Sequence, residues 1–110
     1  LLTANPKIDA VFAINDPTAI GAELAIKQAK RTGIFITAVD GAPDAVVALK
    51  DPKSLLEGSS AQNPYAMANE GVKVGYDIMN GKAPATKVKL LPVPLVTKAN
   101  LKDYPGWVKE

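Results

Sequence analysis

An unbroken apolar run that stops at a proline-containing polar turn constrains this chain more than any other feature. Residues 11–14 are all apolar, and Asn15, Asp16 and Pro17 follow at once. An apolar run without alternation is typical of a parallel strand that is covered on both faces. Asp16 has the chemistry of a helix N-cap, and Pro17 that of a first helical residue. The sequence therefore predicts a buried strand followed directly by a helix.

The same arrangement returns twice further along the chain. A second strand, rich in branched residues, is predicted at residues 34–39; it closes at Asp40, and Pro43 follows. A third, weaker strand is predicted at residues 59–62, with Pro64 placed to begin the next helix. Strands and helices that alternate at this spacing indicate βαβ units with right-handed crossovers. We therefore expect an α/β fold around a parallel sheet.

The helical periodicity and its breakers complete the predicted order of elements. Helices are predicted at residues 17–31, 44–50 and 64–80. Gly71 and Gly75 lie four apart on one face of the last helix, which suggests close packing against another element. Residues 88–96 are predicted to be extended. Pro92 and Pro94 cannot donate ladder hydrogen bonds there, so an edge or crossing strand is favoured over a central one.

Composition and charge narrow the class of protein. The chain has 110 residues, is 47% hydrophobic and carries a formal net charge of +2. This charge is too small, and the basic residues too dispersed, to favour nucleic acid or a membrane surface as a partner. The absence of cysteine excludes disulfides and is compatible with an oxidising or a reducing compartment. Because the chain begins with Leu1 and enters a strand almost at once, we expect a fragment or a processed product.

Three polar residues follow the three predicted strands. They are Asn15, Asp40 and Gln62. The carboxyl ends of parallel strands meet at one edge of a sheet, which is where α/β proteins bind ligands. A carboxylate only accepts hydrogen bonds, whereas the two amides both donate and accept. This combination matches a sugar or polyol; the alternative is that these residues are helix caps and turn residues.

Catalysis finds less support in the residues. The chain has no histidine, no G-x-S-x-G elbow and no phosphate-binding glycine loop. Asp40 at a strand end could act as a nucleophile or phosphoacceptor in an α/β enzyme. It would then need further acidic residues to hold a cation, and only Asp16 is expected nearby. The sequence therefore favours a binding protein without catalysis, and implies no cofactor and no metal.

Four segments together resemble a known family. They cover nearly the whole chain and include an Asn-Asp-Pro, an Asp-Gly and a Gln-x-Pro motif at ordered separations. The segments are residues 13–22, 38–45, 61–65 and 91–100. They are similar to the second half of the ribose-type (cluster B, type I) periplasmic sugar-binding proteins.

The resemblance implies a two-lobed receptor that closes on a monosaccharide and delivers it to the permease of an ABC importer. It implies that Asn15, Asp40 and Gln62 hydrogen-bond the sugar hydroxyls. Residues 1–62 would belong to a three-layer α/β/α C-terminal sugar-binding lobe. Residues 63–110 would comprise a helix and a strand that cross the hinge to the N-terminal lobe, which is absent here, and a C-terminal tail. The implied location is periplasmic, or extracellular with a lipid anchor, and the export signal would precede this chain.

One departure bears on the ligand. Ribose binders carry an aromatic residue just before the aspartate of the Asp-Gly motif, and Val39 stands there in this chain. One stacking surface of the ribose binders is therefore missing. The resemblance implies a pentose or a hexose, and the sequence does not name the sugar. The effector-binding core of a LacI-type sugar-responsive transcription regulator has the same fold and is the alternative reading. Such a regulator needs a helix-turn-helix upstream, whereas the long polar tail favours the receptor.

Overall fold

The computed structural model describes residues 1–107. Its elements in chain order are β1 (Ala10–Phe12), α1 (Asp16–Gln28), β2 (Phe35–Asp40), α2 (Pro43–Lys50), β3 (Leu56–Ala61), α3 (Pro64–Met79), β4 (Leu95–Thr97) and a 3-10 turn (Leu101–Asp103). The alternation of strands and helices confirms the predicted α/β class. The end of the predicted tail, residues 108–110, lies outside the described residues.

The four strands form one sheet in the order β1-β2-β3-β4. The first three strands are parallel, with Phe12 opposite Thr37 and Asp40 opposite Ala61. Strand β4 pairs antiparallel with β3 at the edge of the sheet, and an edge position was predicted for this segment. It is shorter than expected. Pro92 and Pro94 precede it and have no N–H to donate, although the carbonyl of Pro94 accepts a bond from the amide of Ala61.

Both helices of the βαβ units cover the same face of the sheet. α1 and α2 contact each other; α1 packs on β2 and β3, and α2 packs on β3. A sheet whose strands follow in sequence order places successive crossovers of one hand on one side. The core that results is built from Ala13, Ala19, Ile26, Ile34, Ile36, Ala38, Ala45, Leu49, Leu56, Ala61 and Val96. We call these strands and the two helices the body.

The other face of the sheet is open in the described residues. Phe12 and Ile14 of the first apolar run are 72% and 74% exposed, and Phe35 and Leu95 are also exposed. The prediction that the first strand is covered on both faces is therefore wrong within residues 1–107. These residues supply two of the three layers expected for the lobe. The apolar pattern predicts that a face of the strand is covered, but it does not predict which residues cover it.

The start of α1 differs from the prediction by one residue. Asn15, not Asp16, is the N-cap: its side chain accepts a hydrogen bond from the amide of Thr18 at 3.0 Å. Asp16 is the first helical residue and is fully buried. Asn63 caps α3 in the predicted manner and accepts from the amide of Ala66 at 2.9 Å. The cap-plus-proline signal thus located both helix starts to within a residue.

Helix α3 and residues 82–93 extend away from the body and form what we call the arm. No residue of α3 is buried, and nothing lies within 4 Å of a Cβ built at Gly71 or Gly75, so the predicted close packing at these glycines does not occur within the described chain. The longest dimension is 58 Å, and the radius of gyration is 17.8 Å. A compact chain of this length would have a radius of about 13 Å. No helix within residues 1–107 is long and apolar enough to cross a membrane.

Candidate functional site

Two of the predicted site residues are in direct contact at the end of β2 and β3. Asp40 is the last residue of β2, and Gln62 comes directly after β3. The backbone amide of Gln62 donates to the carbonyl of Asp40 at 2.9 Å. Its side-chain Nε2 also donates to Asp40 Oδ1 at 2.8 Å. Parallel pairing therefore brings this carboxylate and this amide to one edge of the sheet, and each is only partly exposed.

Asn15 reaches the same edge from β1. The amide of Ala13 bonds to the carbonyl of Thr37 at 2.8 Å, so the β1–β2 register carries Asn15 to about the level of Asp40. Its Oδ1 accepts both the amide and the hydroxyl of Thr18, the latter at 2.6 Å. The side-chain oxygen of Asn15 therefore caps the helix, as the alternative prediction had it. The side-chain Nδ2 remains able to donate to a ligand. We call Asn15, Asp40 and Gln62 the polar edge.

Asp16 holds the backbone beneath this edge, a role that the sequence did not indicate. Its Oδ2 accepts from the amide of Ala42 at 2.7 Å, and its Oδ1 accepts from the Ser59 hydroxyl at 2.6 Å. The Ser59 oxygen in turn accepts from the amide of Gly41 at 3.0 Å. Burial raises the pKa of the Asp16 carboxyl, against the lowering effect of these hydrogen bonds. One buried side chain thus ties α1, the β2–α2 turn and β3 together.

The β2–α2 turn has an unusual backbone. Asp40 has φ +130° and Gly41 has φ +67°. A non-glycine residue in such a region carries a cost on the order of 1–3 kcal/mol and persists only where its surroundings hold it. A Cβ at Gly41 would lie 2.5 Å from Ala61 Cβ and 2.6 Å from the hydroxyl of Tyr104. Glycine is therefore required at position 41 by its torsion angle and by the space around it.

The C-terminal tail contacts this turn from the outside. The hydroxyl of Tyr104 donates to the carbonyl of Gly41 at 2.8 Å. The indole Nε1 of Trp107 donates to the carbonyl of Asp40 at 2.9 Å. No local pattern in the sequence links Trp107 to a residue 67 positions earlier.

The polar edge offers groups that suit a polyhydroxylated ligand. Within residues 1–107, no donor contacts Asp40 Oδ2, so this oxygen can accept from a ligand hydroxyl. Asn15 adds a donor through Nδ2, and the side-chain amide of Gln62 adds a donor and an acceptor. The described residues place no three acidic side chains together as a possible metal site. A separate groove of about 610 Å³ lies between α3 and residues 82–93; it is lined by Gln62 but not by Asn15 or Asp40.

Relatives of this chain have names that agree with this chemistry. The ribose import binding protein of Salmonella typhimurium is 38% identical over 87 residues, which are 79% of this chain and 29% of that protein. A xylitol-binding protein of Mycolicibacterium smegmatis is 36% identical over 99 residues, covering 87% of this chain and 27% of that protein. This chain therefore spans less than a third of the length of either relative.

Known structures give the same result for the fold. An ABC transporter solute binding protein from Agrobacterium vitis, solved with bound allitol, superposes with a TM-score of 0.83. It is 26% identical, and the match covers 93% of this chain and 36% of that one. The periplasmic binding protein domain model matches residues 1–83. The expected α/β lobe and the expected resemblance are thereby confirmed, and this chain belongs to the periplasmic binding protein family.

Proposed function

We propose that this chain is the C-terminal portion of the solute-binding component of an ABC sugar importer. The proposed ligand is a monosaccharide or a related polyol, held by hydrogen bonds at the polar edge and enclosed by an N-terminal lobe. The observation that carries the proposal is the Asp40–Gln62 pair at the ends of two adjacent parallel strands. The names of the relatives support the ligand class, since they specify ribose and xylitol, and the Agrobacterium structure holds allitol.

Each residue of the polar edge has a distinct task in this proposal. Asp40 accepts hydrogen bonds from one or two ligand hydroxyls through Oδ2, while Gln62 holds Oδ1 and fixes the carboxylate. Asn15 donates through Nδ2, because its oxygen is committed to the helix cap. A carboxylate held by an amide is a strong acceptor once water is excluded. The task of the second lobe is to exclude that water.

The arm supports a division of the chain near residue 62. Up to that point the elements pack on each other; after it, α3 extends from the body with no buried residue. We propose that residues 63–93 cross the hinge and pack in the N-terminal lobe, and that β4 returns the chain to the body. The proposed partner is the importer's permease, and the proposed location is the periplasm or the outer surface of a lipid-anchored protein. The protein is proposed to bind and release its ligand without chemical change.

The decisive test is Asp40→Ala in the complete two-lobed protein. A ligand that binds only the folded state stabilises it by about 2.7 kcal/mol at a hundredfold excess over its Kd. Melting in the presence of D-ribose, xylitol and allitol should show this stabilisation for the cognate ligand, and Asp40→Ala should abolish it. The matched control is Asp44→Ala, which removes an exposed carboxylate from the first turn of α2. An unchanged ligand shift in Asp40→Ala would remove Asp40 from the site.

A second test uses the 110-residue chain by itself. The polar edge is partly exposed and has no second lobe above it, so its hydrogen bonds compete with water. We expect the same ligands to give little or no melting shift with this chain. A shift equal to that of the complete protein would contradict the proposed clamp.

A further inference from the structure

We propose that the C-terminal tail positions Asp40 for ligand binding, with Tyr104 and Trp107 as positioning residues. The proposal rests on the proposed function, because it concerns the same carboxylate. It adds that residues of the tail hold the backbone of the β2–α2 turn in position. Neither side chain needs to touch the ligand, since both contact the backbone of the turn that carries Asp40.

The tail supplies donors to two successive carbonyl groups. Trp107 Nε1 donates to the carbonyl of Asp40 at 2.9 Å, and the hydroxyl of Tyr104 donates to the carbonyl of Gly41 at 2.8 Å. The Asp40 carbonyl also accepts the amide of Gln62 at 2.9 Å. Both lone pairs of this oxygen are therefore used, one by the next strand and one by the tail. These contacts fix the peptide planes on either side of Gly41.

The backbone at this turn needs such support. Asp40 has φ +130°, in a region that an L-residue leaves when its surroundings relax. Its side-chain direction follows its backbone, so a rotated peptide plane would move Oδ2 away from the polar edge. The Asp16–Ser59 network holds the amides of Gly41 and Ala42 from inside the body. The tail holds the carbonyls from outside, and the turn is fixed between the two.

The tail is itself anchored to the body. Lys98 Nζ donates to the carbonyl of Ser54 at 2.8 Å and to Glu57 Oε1 at 2.7 Å. Leu101 packs against the core cluster, and so does Tyr104. Burial, with a smaller contribution from the Asp16 carboxylate, raises the pKa of the Tyr104 phenol, so its hydroxyl remains a donor at neutral pH. The two donors are thus held in place by more than their own hydrogen bonds.

A simple packing role for these residues makes a different prediction. Packing alone would lower the stability of the body when either ring is truncated and would leave the affinity of the folded protein unchanged. Trp107 is 38% exposed, so its ring is only partly buried. Its hydrogen bond instead reaches the one residue whose carboxylate is proposed to bind the ligand. Removing either donor should therefore weaken ligand binding by the folded protein, beyond any effect on the free energy of unfolding.

The experiment compares Tyr104→Phe and Trp107→Phe in the complete protein by titration calorimetry with D-ribose, xylitol and allitol. Each variant removes one donor and retains an aromatic ring. We expect each to weaken binding of the cognate ligand by about threefold to tenfold, in line with one lost hydrogen bond. The matched control is Thr32→Val, which removes a hydroxyl from an exposed position between α1 and β2, at the end of β2 opposite to Asp40. It should change the affinity less than about twofold.

Two further measurements distinguish positioning from packing. The indole N–H resonance that is lost in Trp107→Phe identifies Trp107, and it should shift on ligand addition and also in ligand-free Tyr104→Phe. In an Asp40→Asn background, Trp107→Phe should cause little additional loss of affinity, because the group that it positions has been altered. Melting without ligand checks that the variants are folded. If Trp107→Phe is unfolded, Tyr104→Phe decides alone.

The outcomes are separable. Wild-type affinity in a folded Tyr104→Phe and a folded Trp107→Phe would overturn the positioning role while leaving the proposed function intact. An equal loss for Thr32→Val would also overturn it. Failure of the wild-type protein to bind any member of a panel of pentoses, hexoses and polyols that includes these three would overturn the proposed function, and the positioning role with it.

Discussion

Helices α1 and α3 both carry apolar side chains at helical spacing, yet only α1 uses them within the described chain. α1 has 13 residues and buries Asp16, Ala19, Glu23 and Ile26. α3 has 16 residues and buries none. The difference is in the partner and not in the helix: α1 lies on a sheet, whereas α3 extends past its edge. An apolar stripe thus indicates that a helix needs a partner without saying which one.

The largest contrast should be between core truncations in the body and in the arm. Ile36 is fully buried in β2, and Val72 on α3 is 75% exposed. Ile36→Ala should lower the free energy of unfolding by about 2–5 kcal/mol, because it removes buried methyl groups and leaves a cavity. Val72→Ala should change it by less than about 0.5 kcal/mol. Urea denaturation of the 110-residue chain measures both, and equal losses would mean that the arm packs as firmly as the body.

Hydrogen exchange should give a contrast of nearly the same size. Helices of this length are marginal in water without tertiary packing, and local opening of poorly packed segments needs little free energy. We expect amides of α1 to be protected at least about a hundredfold more than those of α3, which corresponds to about 2.7 kcal/mol. In the complete protein the protection of α3 should rise. Equal protection of the two helices in the isolated chain would contradict this account of the arm.

Within the body, the buried Asp16 should matter more than an exposed carboxylate. Asp16→Ala leaves the amide of Ala42 and the hydroxyl of Ser59 buried without their acceptor. We expect a loss of about 2 kcal/mol in the free energy of unfolding, since an unsatisfied buried donor costs about 1–3 kcal/mol. Asp9→Ala, at an exposed position before β1, is the control and should have little effect. A similar loss of unfolding free energy in both variants would contradict the role of Asp16 in holding α1, the β2–α2 turn and β3 together.

The smallest expected effect is a difference in acid response between two buried carboxyl groups. Burial raises the pKa of Asp16 above 3.8. Burial alone would raise the pKa of Glu23 as well, but hydrogen bonds from Lys27 and Ser54 hold it below 4.5. The stabilisation associated with Asp16 is therefore complete below pH 3.8 and is lost as the pH rises through its folded value. That of Glu23 is complete above pH 4.5 and is lost as the pH falls through its folded value.

Denaturation over an acidic pH series tests these signs with two variants. The stability of the wild type relative to Asp16→Asn should fall as the pH rises from 3.8, and relative to Glu23→Gln it should rise as the pH approaches 4.5. Asp77→Asn in the arm is the control, because the ion pair of Asp77 within residues 1–107 is with the exposed Lys73. If the two stability differences changed with pH in the same direction, the opposite pKa shifts of Asp16 and Glu23 would be contradicted.

Local signals in the sequence predicted the framework of this fold. Pro43 and Pro64 begin helices where expected, and Asp40 closes its strand. These features depend on neighbouring residues, so a short window contains the physics that decides them. The same holds for the composition of the polar edge, since the order of strands in a βαβ unit brings their ends together.

The features that the sequence missed depend on distant residues. Asn15 and Asp16 are both good capping residues, and the choice between them follows from Ser59, 43 positions later, which accommodates the buried carboxylate. The third predicted strand begins at Leu56 and not at residue 59, because pairing with Ile36 extends it. The role of Trp107 follows from a single contact across the fold. Such pairings have no period and no local motif.

The glycine at position 41 limits how this protein can be altered by selection. A left-handed torsion angle and two neighbours closer than 3 Å to a Cβ exclude every larger residue there. A combinatorial library aimed at new ligand preferences should therefore keep this codon fixed, because any diversity there would yield misfolded clones. Variation in the proposed ligand preference has to come from positions that tolerate a side chain.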